Sequence, residues 1–157
     1  MNIVFLCTAN SCRSILSEAV FNAMAPSTMR AYSAGSHPSG RVNPLSLQAL
    51  ERAGVSTLGL SSKALEVHQD KRLDFLITVC DKASGEICPV MFSSAQKVHW
   101  GLEDPSERAG SSTQVEQAFD ACVATIKRRI QAFLVLPLAE LSSAQLAEKM
   151  LEIGTLR

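Results

Sequence analysis

The chain opens on a run that leaves it little conformational choice. Asn2 to Leu6 reads Asn-Ile-Val-Phe-Leu, a short and nearly continuous apolar stretch. That is the pattern of a strand buried on both faces, as in a parallel sheet. Small polar residues from Cys7 to Ser11 break the run. From Arg13 the period becomes helical, with Ile15, Ala19 and Ala23 beside Leu16, Val20 and Met24 on one apolar face. Pro26 limits that helix. Strand, loop and helix in this order put the loop at the carboxyl end of a parallel strand, where such sheets bind ligands.

The alternation continues along the chain. Met29 to Ala34 predicts a second strand, and Gly35 to Gly40 a turn-rich loop. Asn43 reads as an N-cap with Pro44 at the first helical position, and that helix ends at Gly54. Ser61 or Ser62 is expected to open a short helix through about Arg72. Asp74 to Val79 predicts a third strand and Lys97 to Trp100 a fourth, with Cys80 to Ala95 a polar loop between them. A long helix follows Gly110 to Thr113, carrying Val115, Phe119, Cys122, Val123, Ile126 and Ile130 at helical spacings as far as Pro137. Ser143 is expected to cap a last amphipathic helix over about 143–153. The 157 residues favour a single domain, 1–157, of α/β class with a mainly parallel sheet.

Charge and targeting narrow the function. Lys plus Arg and Asp plus Glu are 15 each, so no basic excess points to nucleic acid, and any anion site must be local. No signal peptide is visible, and the apolar stretch near Ala132 to Ala139 is cut by Pro137 and too short for a bilayer. A cytoplasmic protein is expected. In a reducing compartment the five cysteines, Cys7, Cys12, Cys80, Cys88 and Cys122, are not a permanent disulfide framework.

The first loop carries the chemistry. It reads Cys7-Thr8-Ala9-Asn10-Ser11-Cys12-Arg13-Ser14. A turn of this length between strand and helix can curl its backbone N–H groups inward, and the helix start adds unsatisfied donors. Thr8, Ala9, Asn10, Ser11, Cys12, Arg13 and Ser14 are thus the candidate oxyanion-binding residues, with the Arg13 fork suited to two oxygens of a tetrahedral anion. Cys7 faces the same field, which favours the thiolate nucleophile. Ser14 can donate to that sulfur, and Asn10 suits a left-handed turn. Attack on a tetrahedral oxyanion needs a proton donor. Asp104, stiffened by Pro105, is the candidate, with Glu103 as its neighbour and rival.

Cys80 ends the third strand, and Cys88 follows across a polar segment. Their spacing matches no tight zinc motif, and His37 and His68 read as unrelated surface residues, with His99 in a strand or loop. No metal or cofactor is expected. A thiol relay accounts for the pair: Cys80 attacks an adduct on Cys7, and Cys88 attacks the resulting disulfide. Cys122 reads as core and Cys12 as structural or secondary.

Five segments in order, Cys7 to Ser14, Tyr32-Ser-Ala-Gly35, Thr78-Val-Cys80, Cys88-Pro89 and His99-Trp-Gly-Leu-Glu-Asp-Pro105, resemble the thioredoxin-coupled arsenate reductases, which are built on the low-molecular-weight tyrosine phosphatase fold. The resemblance covers about residues 1 to 135. It implies a four-stranded parallel sheet with helices on both faces. It also implies that Cys7 attacks arsenate held by Arg13 and the loop amides, that Asp104 protonates the leaving oxygen, and that Cys80 and then Cys88 carry the disulfide to thioredoxin. Some members bind potassium at positions matching Asn10, Glu18 and Ser33. Here Lys63 is placed to put an ammonium where that ion would sit. The remaining alternatives are a tyrosine phosphatase, which usually carries an aromatic where Ser106 stands, and a non-enzymatic redox or oxyanion sensor. Glutaredoxin with glutathione is the alternative reductant, and a monomer is expected.

Overall fold

In the computed structural model, which describes residues 1–86 and 90–157, the opening run becomes β1 (Asn2–Cys7). It lies inside a four-stranded sheet of order β2-β1-β3-β4, completed by β2 (Arg30–Gly35), β3 (Phe75–Thr78) and β4 (Gln96–His99). Every pairing is parallel. Ile3 and Val4, which point to opposite faces, are both 0% exposed. That is why the run shows no apolar–polar alternation.

The two faces are covered unequally. On one, Phe5 meets Phe21 of α1 (Arg13–Met24), and Phe21 meets Phe133 of α4 (Ser112–Leu134), which closes edge-on against Phe75 of β3. Truncating one of these fully buried rings would cost about 3–5 kcal/mol. α2 (Pro44–Arg52) joins this layer, with Arg52 reaching Asp120 and Glu116 of α4. The opposite face is thin. A 3₁₀ turn, Leu65–His68, and the single-turn helix α3 (Asp81–Ser84) lie over it. They leave a cavity of about 330 Å³ lined by Leu6, Leu76 and Thr78. The last helix, α5 (Ser143–Gly154), lies against β4, where the Trp100 indole donates to the Met150 carbonyl at 2.9 Å. It thereby covers an exposed sheet edge.

Asn43 caps α2 with Pro44 behind it, as expected. Four expectations are corrected. The helix expected from Ser61 or Ser62 to Arg72 is only the 65–68 turn, because Gly35 N–H donates to Lys63 O at 2.8 Å and Ala64 bridges Gly35, which keeps the preceding chain extended against the end of β2. The loop from Cys80 to Ala95 contains α3 and a 3₁₀ turn at Val90–Phe92. The last helix is capped by Ser142, not Ser143, in a reciprocal box with Gln145. His68 is not at the surface. It is 3% exposed, its ring tilts against Tyr32 at 5.1 Å, and Nε2 meets Ser33 O at 2.9 Å. Ile87, Cys88 and Pro89 lie outside the described residues. No described helix is long and apolar enough to cross a membrane.

Burial holds the His68 imidazole below its ordinary pKa, against the Ser33 hydrogen bond and with Lys63 and Lys71 adding to the depression. As pH falls through about 6.5 the unfolded chain takes up a proton that the folded chain refuses, so stability drops in that window. The urea midpoint should fall between about pH 7.5 and 5.5, and fall less in His68→Gln, which cannot titrate. Equal declines in the two proteins would contradict this.

Candidate active site

The strand order places the site. The chain leaves β1 towards β2 on one side and later leaves β3 towards β4 on the other, so the segments after β1 and β3 diverge and open a crevice. Cys7 ends β1, and Cys80 lies just past β3. The two segments meet where Thr8 Oγ1 comes to 3.6 Å from Cys80 Sγ.

The loop after β1 is held by its carbonyls. Those of Cys7, Thr8 and Ala9 accept from the amides of Ser36, His37 and Ser39 at 3.1, 2.9 and 3.0 Å. Ser62 Oγ donates a second bond to Ala9 O at 3.0 Å. Ser11 O accepts from Asn43 N and Cys12 O from Leu16 N, both at 2.9 Å. With the carbonyls engaged from outside, the amides turn inward. Asn10, at φ 47°, supplies the left-handed reversal and aims its own N–H at Cys7 Sγ, 3.2 Å away. No described residue accepts from the amides of Thr8, Ala9, Ser11, Cys12, Arg13 or Ser14. Cys12 stands at the N-cap of α1 with no side-chain cap, so the helix's N-terminal donors also face the cradle, an arrangement suited to an anion. Gly35 is required for the close approach: a Cβ there would lie 2.6 Å from Thr8 O.

Behind the sulfur runs a polar chain. Asn10 Nδ2 donates to Ser14 Oγ at 2.8 Å, which leaves the Ser14 hydrogen free to donate to Cys7 Sγ at 2.9 Å. Asn10 Oδ1 accepts from Lys63 N at 2.9 Å. The Lys63 ammonium lies 2.8 Å from Ser61 O, 3.3 Å from Ser33 Oγ and 3.6 Å from Glu18 Oε2. The Ser33 hydroxyl donates to the same Glu18 carboxylate. The lysine thus puts its charge between Glu18 and Ser33, where the sequence placed it. Lys63 is half-buried and Glu18 buried, so removing either partner would leave the other charge poorly compensated.

In front of the sulfur, Arg13 Nη2 pairs with Asp104 Oδ2 at 3.0 Å and Nη1 donates to Leu102 O at 3.1 Å. Asp104 Oδ1 accepts from Ser106 N at 3.0 Å and from Ser106 Oγ at 2.6 Å, fixing the carboxylate at the start of the turn that Pro105 opens. Glu103 is exposed; the carboxylate beside Arg13 is that of Asp104. These groups line a cleft of about 1150 Å³ that also takes in Cys80, Cys12 and Cys122. Cys80 is 3% exposed and N-caps α3, its sulfur accepting from Ala83 N at 3.4 Å. Burial pushes the Cys12 and Cys122 thiols up to about 12, so both stay protonated near neutrality. Sequence reading missed the hydroxyl of Thr8 as the link to Cys80, and it missed Arg129, whose only signal was an arginine on the apolar face of α4 between Ile126 and Ile130.

Comparison with known proteins follows the same lines. Residues 2–150 match the model of the low molecular weight phosphotyrosine protein phosphatase family. An arsenate reductase of Halalkalibacterium halodurans is 31% identical over 131 residues, 83% of this chain and 93% of its own. A solved arsenate reductase in the phosphate-binding state superposes with TM-score 0.70 at 24% identity, over 90% of this chain and 98% of its own. A thioredoxin-dependent arsenate reductase of Corynebacterium glutamicum superposes with TM-score 0.58 at 26% identity, over 83% of this chain and 61% of its own.

The close approach at Gly35 gives a direct test of the cradle. Gly35→Ala should push the Thr8 carbonyl aside and weaken phosphate binding at least about tenfold by calorimetry, with the circular dichroism of the fold retained. Unchanged binding would mean that the loop amides do not hold the anion.

Proposed function

The chain belongs to the low molecular weight phosphotyrosine protein phosphatase family, and from that premise we propose that it is an arsenate reductase working through a Cys7, Cys80, Cys88 relay that thioredoxin regenerates. The observation that carries the reading is the second thiol: Cys80 Sγ stands 3.6 Å from Thr8 Oγ1, on the rim of the cradle that holds Cys7. A phosphatase needs no such partner. The relatives described as arsenate reductases add support.

The steps balance as follows. Cys7 thiolate attacks As(V), forming an S–As bond, and an arsenate oxygen leaves as water with a proton from Asp104. Arg13 and the loop amides hold the remaining oxygens, so Arg13 gives up Asp104 for the substrate and frees that carboxylate to take up the proton it delivers. Cys80 then attacks Cys7 Sγ. The S–As electron pair passes to arsenic, As(V) becomes As(III), and arsenite leaves while two thiols become the Cys7–Cys80 disulfide. Cys88 attacks Cys80, releasing Cys7, and the dithiol of thioredoxin reduces the Cys80–Cys88 disulfide. The cytoplasm is the compartment in which these thiols stay reduced between turnovers.

With thioredoxin, its reductase and NADPH, arsenate should drive NADPH oxidation, and Cys7→Ser, Cys80→Ser and Cys88→Ser should each abolish it. Normal turnover in Cys80→Ser or Cys88→Ser would remove the relay. Fast cleavage of p-nitrophenyl phosphate with arsenate ignored would make the protein a phosphatase, and turnover with glutaredoxin and glutathione alone would replace thioredoxin as the reductant. Because the Lys63 ammonium already pairs Glu18, rates in potassium and sodium salts of equal ionic strength should agree; stimulation by potassium would contradict that role.

A further inference from the structure

Arg129 is an arginine on the buried side of α4, 5% exposed, and among the described residues it makes no ion pair. Its donors go to backbone carbonyls. Nη1 donates to Trp100 O at 2.9 Å and to Gly101 O at 3.0 Å, and Nε donates to Leu156 O at 2.9 Å. The next carbonyl along, that of Leu102, is taken by Arg13. Three successive carbonyls of the segment after β4 therefore end on guanidinium groups. The amides of the same segment point the other way, Trp100 N to Thr78 O at 2.8 Å and Leu102 N to Val79 O at 3.0 Å. This segment leads directly to Asp104.

A cation is costly to bury, and among the described residues it is compensated by the dipoles of three peptide groups. An apolar residue would pack at that position without the cost. What the arginine adds is direction: the two hydrogens of its Nη1 hold two successive peptide groups at once, while Nε in the same rigid plane is anchored on Leu156 O, and those peptide groups set where the chain stands two residues before the carboxylate. Arg13 alone cannot do this, because it must turn to the substrate during the reaction.

We infer that Arg129 is a positioning residue for the proton donor: it holds the 100–102 backbone so that Asp104 stays over the cradle when Arg13 leaves it for the oxyanion. The inference rests on the reading of Asp104 as the acid. The bond to Leu156 O extends the same clamp to the C-terminal segment that follows α5.

General-acid help matters for a poor leaving group and little for a good one. The test compares kcat/KM for p-nitrophenyl phosphate with kcat/KM for 2,4-dinitrophenyl phosphate in Asp104→Asn, Arg129→Met and Arg129→Lys, because this ratio reads transfer to Cys7, where the leaving group departs, and not hydrolysis of the phospho-Cys7 that both esters share. Both Asp104→Asn and Arg129→Met should slow the first ester by about tenfold or more and the second by less than about twofold, with Arg129→Lys between Arg129→Met and wild type. In the Asp104→Asn background Arg129→Met should add less than about twofold. Hydrogen exchange, read without substrate, should show the Leu102 amide opening at least about tenfold faster in Arg129→Met while β1 amides keep their rates. Equal losses on both esters in Asp104→Asn would overturn the acid reading and this inference with it. A leaving-group-dependent loss in Asp104→Asn with equal losses in Arg129→Met, or an unchanged Leu102 amide, would overturn the role of Arg129 alone.

Discussion

The site depends on how the carbonyls of Cys7, Thr8, Ala9, Ser11 and Cys12 are occupied. A short loop can present its amides to an anion only if its carbonyls are satisfied elsewhere, and here each partner comes from a separate piece of chain: Ser36, His37 and Ser39 after β2, Asn43 at the start of α2, Ser62 before the 65–68 turn, and Leu16 within α1. Those pieces reach the loop because β2 runs parallel beside β1 with Cys7 opposite Gly35, and because Gly35 has no side chain to hold them apart. The buried Lys63–Glu18 pair ties the same region from behind through Asn10. The cradle is thus a consequence of sheet register, built before any substrate arrives, and preorganised donors of this kind stabilise developing negative charge without reorganising.

The same register decides what the cradle can do next. The reversal of strand order between β1 and β3 puts a second sulfur at the rim, N-capping a helix of a single turn. So short a helix has little stability of its own, and it lies over the thinly covered face of the sheet beside a cavity. The thick face, with its linked aromatic rings, holds Cys7 and the loop; the thin face carries α3 and, at its N-cap, Cys80.

Much of this was legible in the sequence, and for identifiable reasons. The continuous apolar run of β1 announced a parallel strand buried on both faces, and Cys7 to Arg13 announced the cradle, because both signals are local. Asn10 was readable as a left-handed residue, whereas Lys63 was placed near Glu18 only through the family resemblance. The errors came where tertiary pairing outweighed local pattern. Ala64 bridges Gly35 and denies residues 61–72 a helix, and His68 is carried into the interior by the same pairing. Arg129 escaped notice because its acceptors are the carbonyls of Trp100, Gly101 and Leu156, distant in sequence and carrying no side-chain signature.

In the proposed relay, Cys7 and Cys80 together supply the two electrons that reduce arsenic. The most direct measurement is a single turnover in Cys88→Ser: one equivalent of arsenate, an acid quench, then mass spectrometry of the protein and arsenic speciation of the solution. A Cys7–Cys80 disulfide and about one arsenite per protein are expected, since the relay stops when its third thiol is missing. Arsenite formed without that disulfide, or a disulfide through Cys12 in its place, would contradict it.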